Sequence, residues 1–210
     1  MTHSLHRKGK IEELKFDYVV LVTPSVGINH KDSKQKLLKI IDKIFELGPN
    51  NIGSYETGTI YSGITSEEIK KCLTEKPRVR CCFDDKEKVK QLLQYIIKED
   101  FGLSVTVSGL LEEIAEMAQD LSVEAHSVNL SLGVFGKTDN LPKSEIVEFV
   151  SLCGHGMVPA SLVEALIDDV ANGRRTPDEA ARFMAKPCVC GIFNTTLAVM
   201  MIDRECNRKK

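Results

Sequence analysis

Runs of apolar residues change period along this chain, and the changes divide it into elements. "DYVVLV" (17–22) is a dense β-branched run, which predicts a central strand. From Lys34 to Leu47 the period becomes helical, with Leu37, Ile41, Ile44 and Phe45 on one face, and Gly48-Pro49 stops it. "NIGSYETGTIYSG" is rich in Thr, Tyr and Ile but interrupted by glycines, as expected of a bent or bulged strand. Thr65 and Glu68 make a capping box for a short helix.

"RVRCCF" (78–83) alternates, with Val79, Cys81 and Phe83 on one face and Arg78, Arg80 and Cys82 on the other. A capping box at Asp84 and Glu87 opens a helix that buries Val89, Leu92, Leu93, Ile96 and Ile97. "LSVTVS" (103–108) alternates again, and a helix with Leu110, Ile114, Met117 and Leu121 follows. "SVNLSLGVF" (127–135) predicts a fifth strand with Val128, Leu130, Leu132 and Val134 inside.

Strict strand–helix alternation is the pattern of a doubly wound parallel sheet, which stands as the alternative fold. Parallel strands covered on both sides read as continuous apolar runs, whereas the last three strands here are apolar on one face only. The expected α/β (α+β) fold is therefore a ferredoxin-like sandwich with an added helix and strand, its helices on one face of the sheet. It is expected to occupy residues 14–136.

Beyond "GKTDNLP" the strand signals end. Four helical stripes follow, so a second, helical part is expected over residues 140–206. Pro142 and Pro159 open the first two helices. The capping box "TPDE" opens a third, and Asn194 or Thr195 caps the last. Short turns predict antiparallel neighbours. In such an up-down arrangement the first and third connections share one end. The first connection is "CGHGMV" and the third is "PCVCGIFN".

That parity predicts one cluster made of Cys153, His155, Cys188 and Cys190. Thiolates and imidazole are soft or borderline ligands for zinc, copper and iron–sulfur clusters. The flanking Gly154, Gly156 and Gly191 allow tight turns that aim N–H groups at sulfur. Three thiolates and one imidazole hold either a four-iron cluster or a Cys₃His zinc ion. An iron–sulfur cluster is the expectation and zinc the alternative. The function expected is redox chemistry, or a reaction at an open iron, with a small-molecule ligand or a redox partner. Without metal, the same loop offers Cys153 as nucleophile and His155 as its base. "CGHG" also resembles the catalytic cysteine loop of proline-racemase-type epimerases, over those four residues alone. A third class is a regulatory or scaffold protein that binds a small ligand and carries a structural zinc.

Two other loops hold candidate chemistry. "TPSVGINHKDS" links the first strand to its helix, where Gly27, His30, Lys31 and Ser33 would meet an anionic cofactor or ligand at the helix start. "SLGVFGKT" departs from a P-loop, since Ser131 stands where the motif needs glycine.

Composition narrows the partners. A net charge of −2 gives no general attraction to nucleic acid or anionic membrane. No apolar run reaches the ~20 residues of a membrane span, and the start of the chain lacks a signal-peptide core. A cytoplasmic location is expected, and seven cysteines, an odd count, argue against a disulfide framework there. An exposed sheet edge would favour a homodimer.

Overall fold

The computed structural model describes residues 7–73, 78–131 and 133–208. After a short helix α1 (Ile11–Leu14), the strand β1 (Tyr18–Thr23) leads into helix α2 (Ser33–Leu47). A hairpin of β2 (Asn51–Ser54) and β3 (Gly58–Thr59) follows, where the sequence predicts one bent strand. Then come α3 (Ser66–Lys71), β4 (Val79–Phe83), α4 (Lys86–Lys98), β5 (Ser104–Ser108) and α5 (Leu111–Asp120).

The five strands form one sheet in the order β3-β2-β4-β1-β5, and every pairing is antiparallel. The doubly wound parallel alternative is therefore not what the chain builds. Each strand–helix–strand unit leaves a one-strand gap, and a strand of opposite direction fills it. β4 lies between β1 and β2, while β1 lies between β4 and β5.

Both faces of the sheet are covered, which corrects the expectation of helices on one face. Tyr18, Val20, Val22, Val79, Cys81 and Phe83 pack with Leu37, Ile41 and Ile44 of α2 and Val89 and Leu92 of α4. Val19 and Cys82 point the other way, into the core of the C-terminal helices. That double cover is why "DYVVLV" has no polar alternation. β5, on the edge, is only partly buried and keeps its alternation.

The predicted fifth strand does not form among the described residues. Val128, Leu130, Val134 and Phe135 lie exposed in irregular chain, and Leu132 falls outside the described residues. A period of two makes a strand only where a neighbour supplies the ladder hydrogen bonds, and the described residues of this segment have no such pairing.

Four helices complete the chain: α6 (Ser144–Ser151), α7 (Ala160–Ala171), α8 (Pro177–Ala185) and α9 (Thr195–Arg208). Their core joins Phe149, Val163, Ile167, Met184, Leu197 and Met201 to Val19 and Cys82 of the sheet. Arg204 binds Glu13, Glu148 and Glu205, which links α1, α6 and α9. No helix among the described residues is long and apolar enough to cross a membrane.

Candidate functional site

The first and third connections of the helical half do meet, at the end of the bundle that faces β2. After α6 the chain turns through Gly154 and Gly156, at φ +70° and +71°, before Pro159 opens α7. After α8 it turns through Cys188, Val189 and Cys190 to Gly191, at φ +71°. Asn194 then caps α9, its Oδ1 accepting from the Leu197 N–H at 3.0 Å.

Glycine at position 191 answers a second constraint. A Cβ there would lie 2.1 Å from the amide nitrogen of Gly53, and a Cβ on Gly53 would lie 2.3 Å from the Val189 carbonyl oxygen. The Cys-x-Cys turn thus rests on β2 backbone to backbone. Asparagines hold the contact: Asn51 Nδ2 donates to the Phe193 carbonyl at 3.0 Å, and Asn50 Oδ1 accepts from the Thr195 N–H at 2.8 Å. On the other side of α9's start, Asn194 Nδ2 donates to Asp17 Oδ1 at 3.1 Å.

Cys153, Cys188 and Cys190 are fully buried in this junction. Cys188 Sγ stands 3.9 Å from Cys190 Sγ, and Cys190 Sγ stands 3.6 Å from Nδ1 of His155. The Cys153 and Cys188 thiols also influence each other. Backbone N–H groups converge on the sulfurs, from His155 and Met157 onto Cys153 and from Ile192 onto Cys188 and Cys190. Such N–H···S contacts are what a thiolate, or a thiolate bound to metal, uses to spread its charge.

The three thiols are electrostatically unequal. Cys190 is shifted below the usual thiol range, first by the hydrogen bond from Cys188, with a further contribution from the charge of Arg80. Cys153 is pushed up by its hydrogen bond with Cys188 and by burial. For Cys188 the bond from Cys153 lowers the value, but its bond to Cys190 and its burial outweigh that and push it up to about 12. For the thiol-enzyme expectation this matters, because the imidazole Nδ1 stands at Cys190, while Cys153 receives the backbone N–H of His155.

Two further residues belong to the site. Tyr55, in the β2–β3 turn, places its hydroxyl 2.6 Å from Nε2 of His155. Arg80 of β4 lays its guanidinium over the Tyr55 ring, 4.6 Å from the centroid. The sequence marks Arg80 only by its alternation with Cys82 on the face opposite Cys81. It is largely buried: the residue is 7% exposed, and among the described residues its Nε has no hydrogen-bond partner. Tyr55 sits in a polar turn and carries no sequence signal of its own.

The loop before α2 has a local role. The Gly27 N–H donates to Nδ1 of His30 at 2.9 Å, and Ser33 Oγ donates to the His30 carbonyl at 2.7 Å. Lys31 is exposed, and Ser33 is buried. None of these contacts involves the cysteine cluster.

None of the seven cysteines, all among the described residues, is in a disulfide. Among the described residues, no three or more His, Cys, Asp or Glu side chains stand as an assembled metal-ligand group. Comparison of the chain with protein-family models, with curated proteins and with solved structures returns no match.

Proposed function

We propose that Cys153, His155, Cys188 and Cys190 hold one tetrahedral divalent ion, zinc in first place, which fastens the helical half to a ferredoxin-like sheet. The strand order with its interleaved strand–helix–strand units supports that fold, since leaving out the short β3 gives the chain order 2-3-1-4. One observation carries the metal reading. Zinc–sulfur bonds of about 2.3 Å and zinc–nitrogen bonds of about 2.0 Å put tetrahedral ligands roughly 3.6–3.8 Å apart. The Cys188–Cys190 and Cys190–His155 separations are 3.9 and 3.6 Å. Sulfurs bound to different irons of a cluster stand further apart, because the cluster lies between them. The spacing therefore favours a single ion over the iron–sulfur cluster.

Donor chemistry agrees. Metal entry exchanges S–H···S hydrogen bonds for metal–sulfur bonds, with release of three thiol protons. The Tyr55 hydroxyl can accept the Nε2 proton of His155 and leave Nδ1 free as the ligand. The buried sulfurs make this centre structural before it is catalytic. A cytoplasmic setting, where thiols stay reduced, suits all seven cysteines.

A second reading rests on the lowered Cys190 thiol beside His155. It makes the protein a metal-free thiol enzyme, with Cys190 in place of Cys153 as nucleophile and His155 as base. Purification without oxygen or chelator, followed by metal analysis and a visible spectrum, tests both. The metal reading expects colourless protein with one zinc per chain. Cys188→Ala and Cys190→Ala should lose that zinc, whereas Cys81→Ala, in the other core, should keep it. Brown protein containing iron and sulfide would assign the cluster instead. Metal-free wild type with one thiol of raised reactivity would assign the enzyme.

A further inference from the structure

We infer that the chain pairs with a second copy of itself through β5, a strand whose sequence is its own antiparallel complement. This pairing is independent of the metal reading. β5 ends the sheet, and its ladder to β1 runs unbroken from Ser104 to Ser108. Among the described residues no strand pairs with its outer side. Edge strands are usually guarded by lysine, proline, a bulge or brevity. Brevity guards the opposite edge, where β3 has only two residues. β5 has five residues, with no lysine, proline or bulge among them.

The occupant follows from the strand itself. β5 reads Ser-Val-Thr-Val-Ser, the same in both directions. A two-fold axis at Thr106 sets Thr106 opposite Thr106 and Val105 opposite Val107, with serine opposite serine at the ends. A two-fold interface requires such self-matching, because a residue that meets another is met by it in return. Like pairs of threonine and of β-branched apolar residues are favourable across strands. Charge agrees as well. No residue from Gly102 to Leu111 is charged, so two copies meet along this seam without like-charge contact.

Area is the remaining requirement. Five residues of ladder alone fall short of the roughly 800 Å² that each partner buries in a stable interface. The rest comes from a groove of about 500 Å³ beside β5. Ile97 of α4 and Leu111 of α5 line it together with Val105 and Val107, and they are 46% and 48% exposed. In a two-fold pair each groove receives apolar side chains of the other copy. The irregular chain at 123–131 borders the groove, and every residue of it is exposed. A partner strand therefore displaces no packed core there.

The test follows the oligomeric state of the full chain by sedimentation over a range of concentrations. Wild type should sediment as a dimer, and hydrogen exchange at Val105–Val107 should slow as the dimer forms. Thr106→Lys sets two cations face to face across the axis, and Thr106→Glu sets two anions there. Each should weaken the dimer by about tenfold or more, since like charges directly opposite one another destabilise a strand pair. Mixed one to one, the two variants should form a heterodimer, which a damaged strand would not. Circular dichroism checks that each variant folds, and the exchange measurement on wild type decides the matter if neither does. Monomeric wild type, or exchange at Val105–Val107 that does not change with concentration, would overturn the inference. So would variants that dimerise as tightly as wild type, or folded variants whose mixture stays monomeric.

Discussion

Gly53 and Gly191 touch through their backbones, so the Cys-x-Cys turn and β2 approach with no side chain between them. A Cβ on Gly191 would stand 2.5 Å from the Ile52 Cα as well as 2.1 Å from the Gly53 nitrogen. Gly191→Ala therefore meets both a left-handed backbone and a clash that only a backbone shift relieves. Gly136, at φ +93° with nothing within 4 Å of its would-be Cβ, is the control. Gly136→Ala should cost about 1–2 kcal/mol for backbone conformation alone. Gly191→Ala should cost clearly more in urea unfolding and should also weaken metal binding. Equal costs would show that the close approach matters little.

Besides the edge-to-face contact of their rings, Tyr55 meets His155 through its hydroxyl on Nε2. Tyr55→Phe keeps the ring under Arg80 and removes that contact. The expected result is a 10–100-fold loss of zinc affinity, as for other outer-shell partners of a ligating histidine. The half-exposed ring should leave thermal stability nearly unchanged. Unaltered affinity would mean that the tautomer of His155 is set elsewhere.

Acid sensitivity should come in part from carboxylates of the helical half. The guanidinium of Arg174, then that of Arg175, holds Asp169 below the usual carboxylate range. The backbone N–H and then the hydroxyl of Thr176 do the same for Glu179. Each folded value lies below its unfolded one, which is about 4. Their stabilisation is thus complete above that pH and is lost as pH falls through the folded values. Urea unfolding from pH 7 to pH 3 should show this loss, and Glu179→Gln or Arg174→Ala with Arg175→Ala should flatten the slope. Slopes equal to wild type would remove these groups from the acid response.

Phe135 is 80% exposed and Val128 is 57% exposed, although their period of two reads as a buried strand face. Phe135→Ser and Val128→Thr should shift unfolding free energy by no more than about 0.5 kcal/mol, as at ordinary surface positions. A loss of several kcal/mol at either position would restore the strand reading.

Local signals in the sequence determined most elements of the fold. The capping boxes at Thr65–Glu68 and Thr176–Glu179 form as spaced, because both partners lie within one helical turn. Asn194 caps α9 for the same reason. The box expected at Asp84 moved by one residue, with Asp85 accepting from the Glu87 N–H. The meeting of His155 with Cys190 was also legible, since short turns make helices alternate in direction and bring odd connections to one end. Tertiary structure alone decided what the sheet touches. Whether Val19 and Cys82 face water or a second core depends on where residues beyond 140 pack, and no local period records that. The same packing buries Arg80, which alternation placed on a strand face without saying what covers it. It also leaves the described residues of 127–135 without a ladder partner, because pairing is a property of two segments and periodicity describes only one.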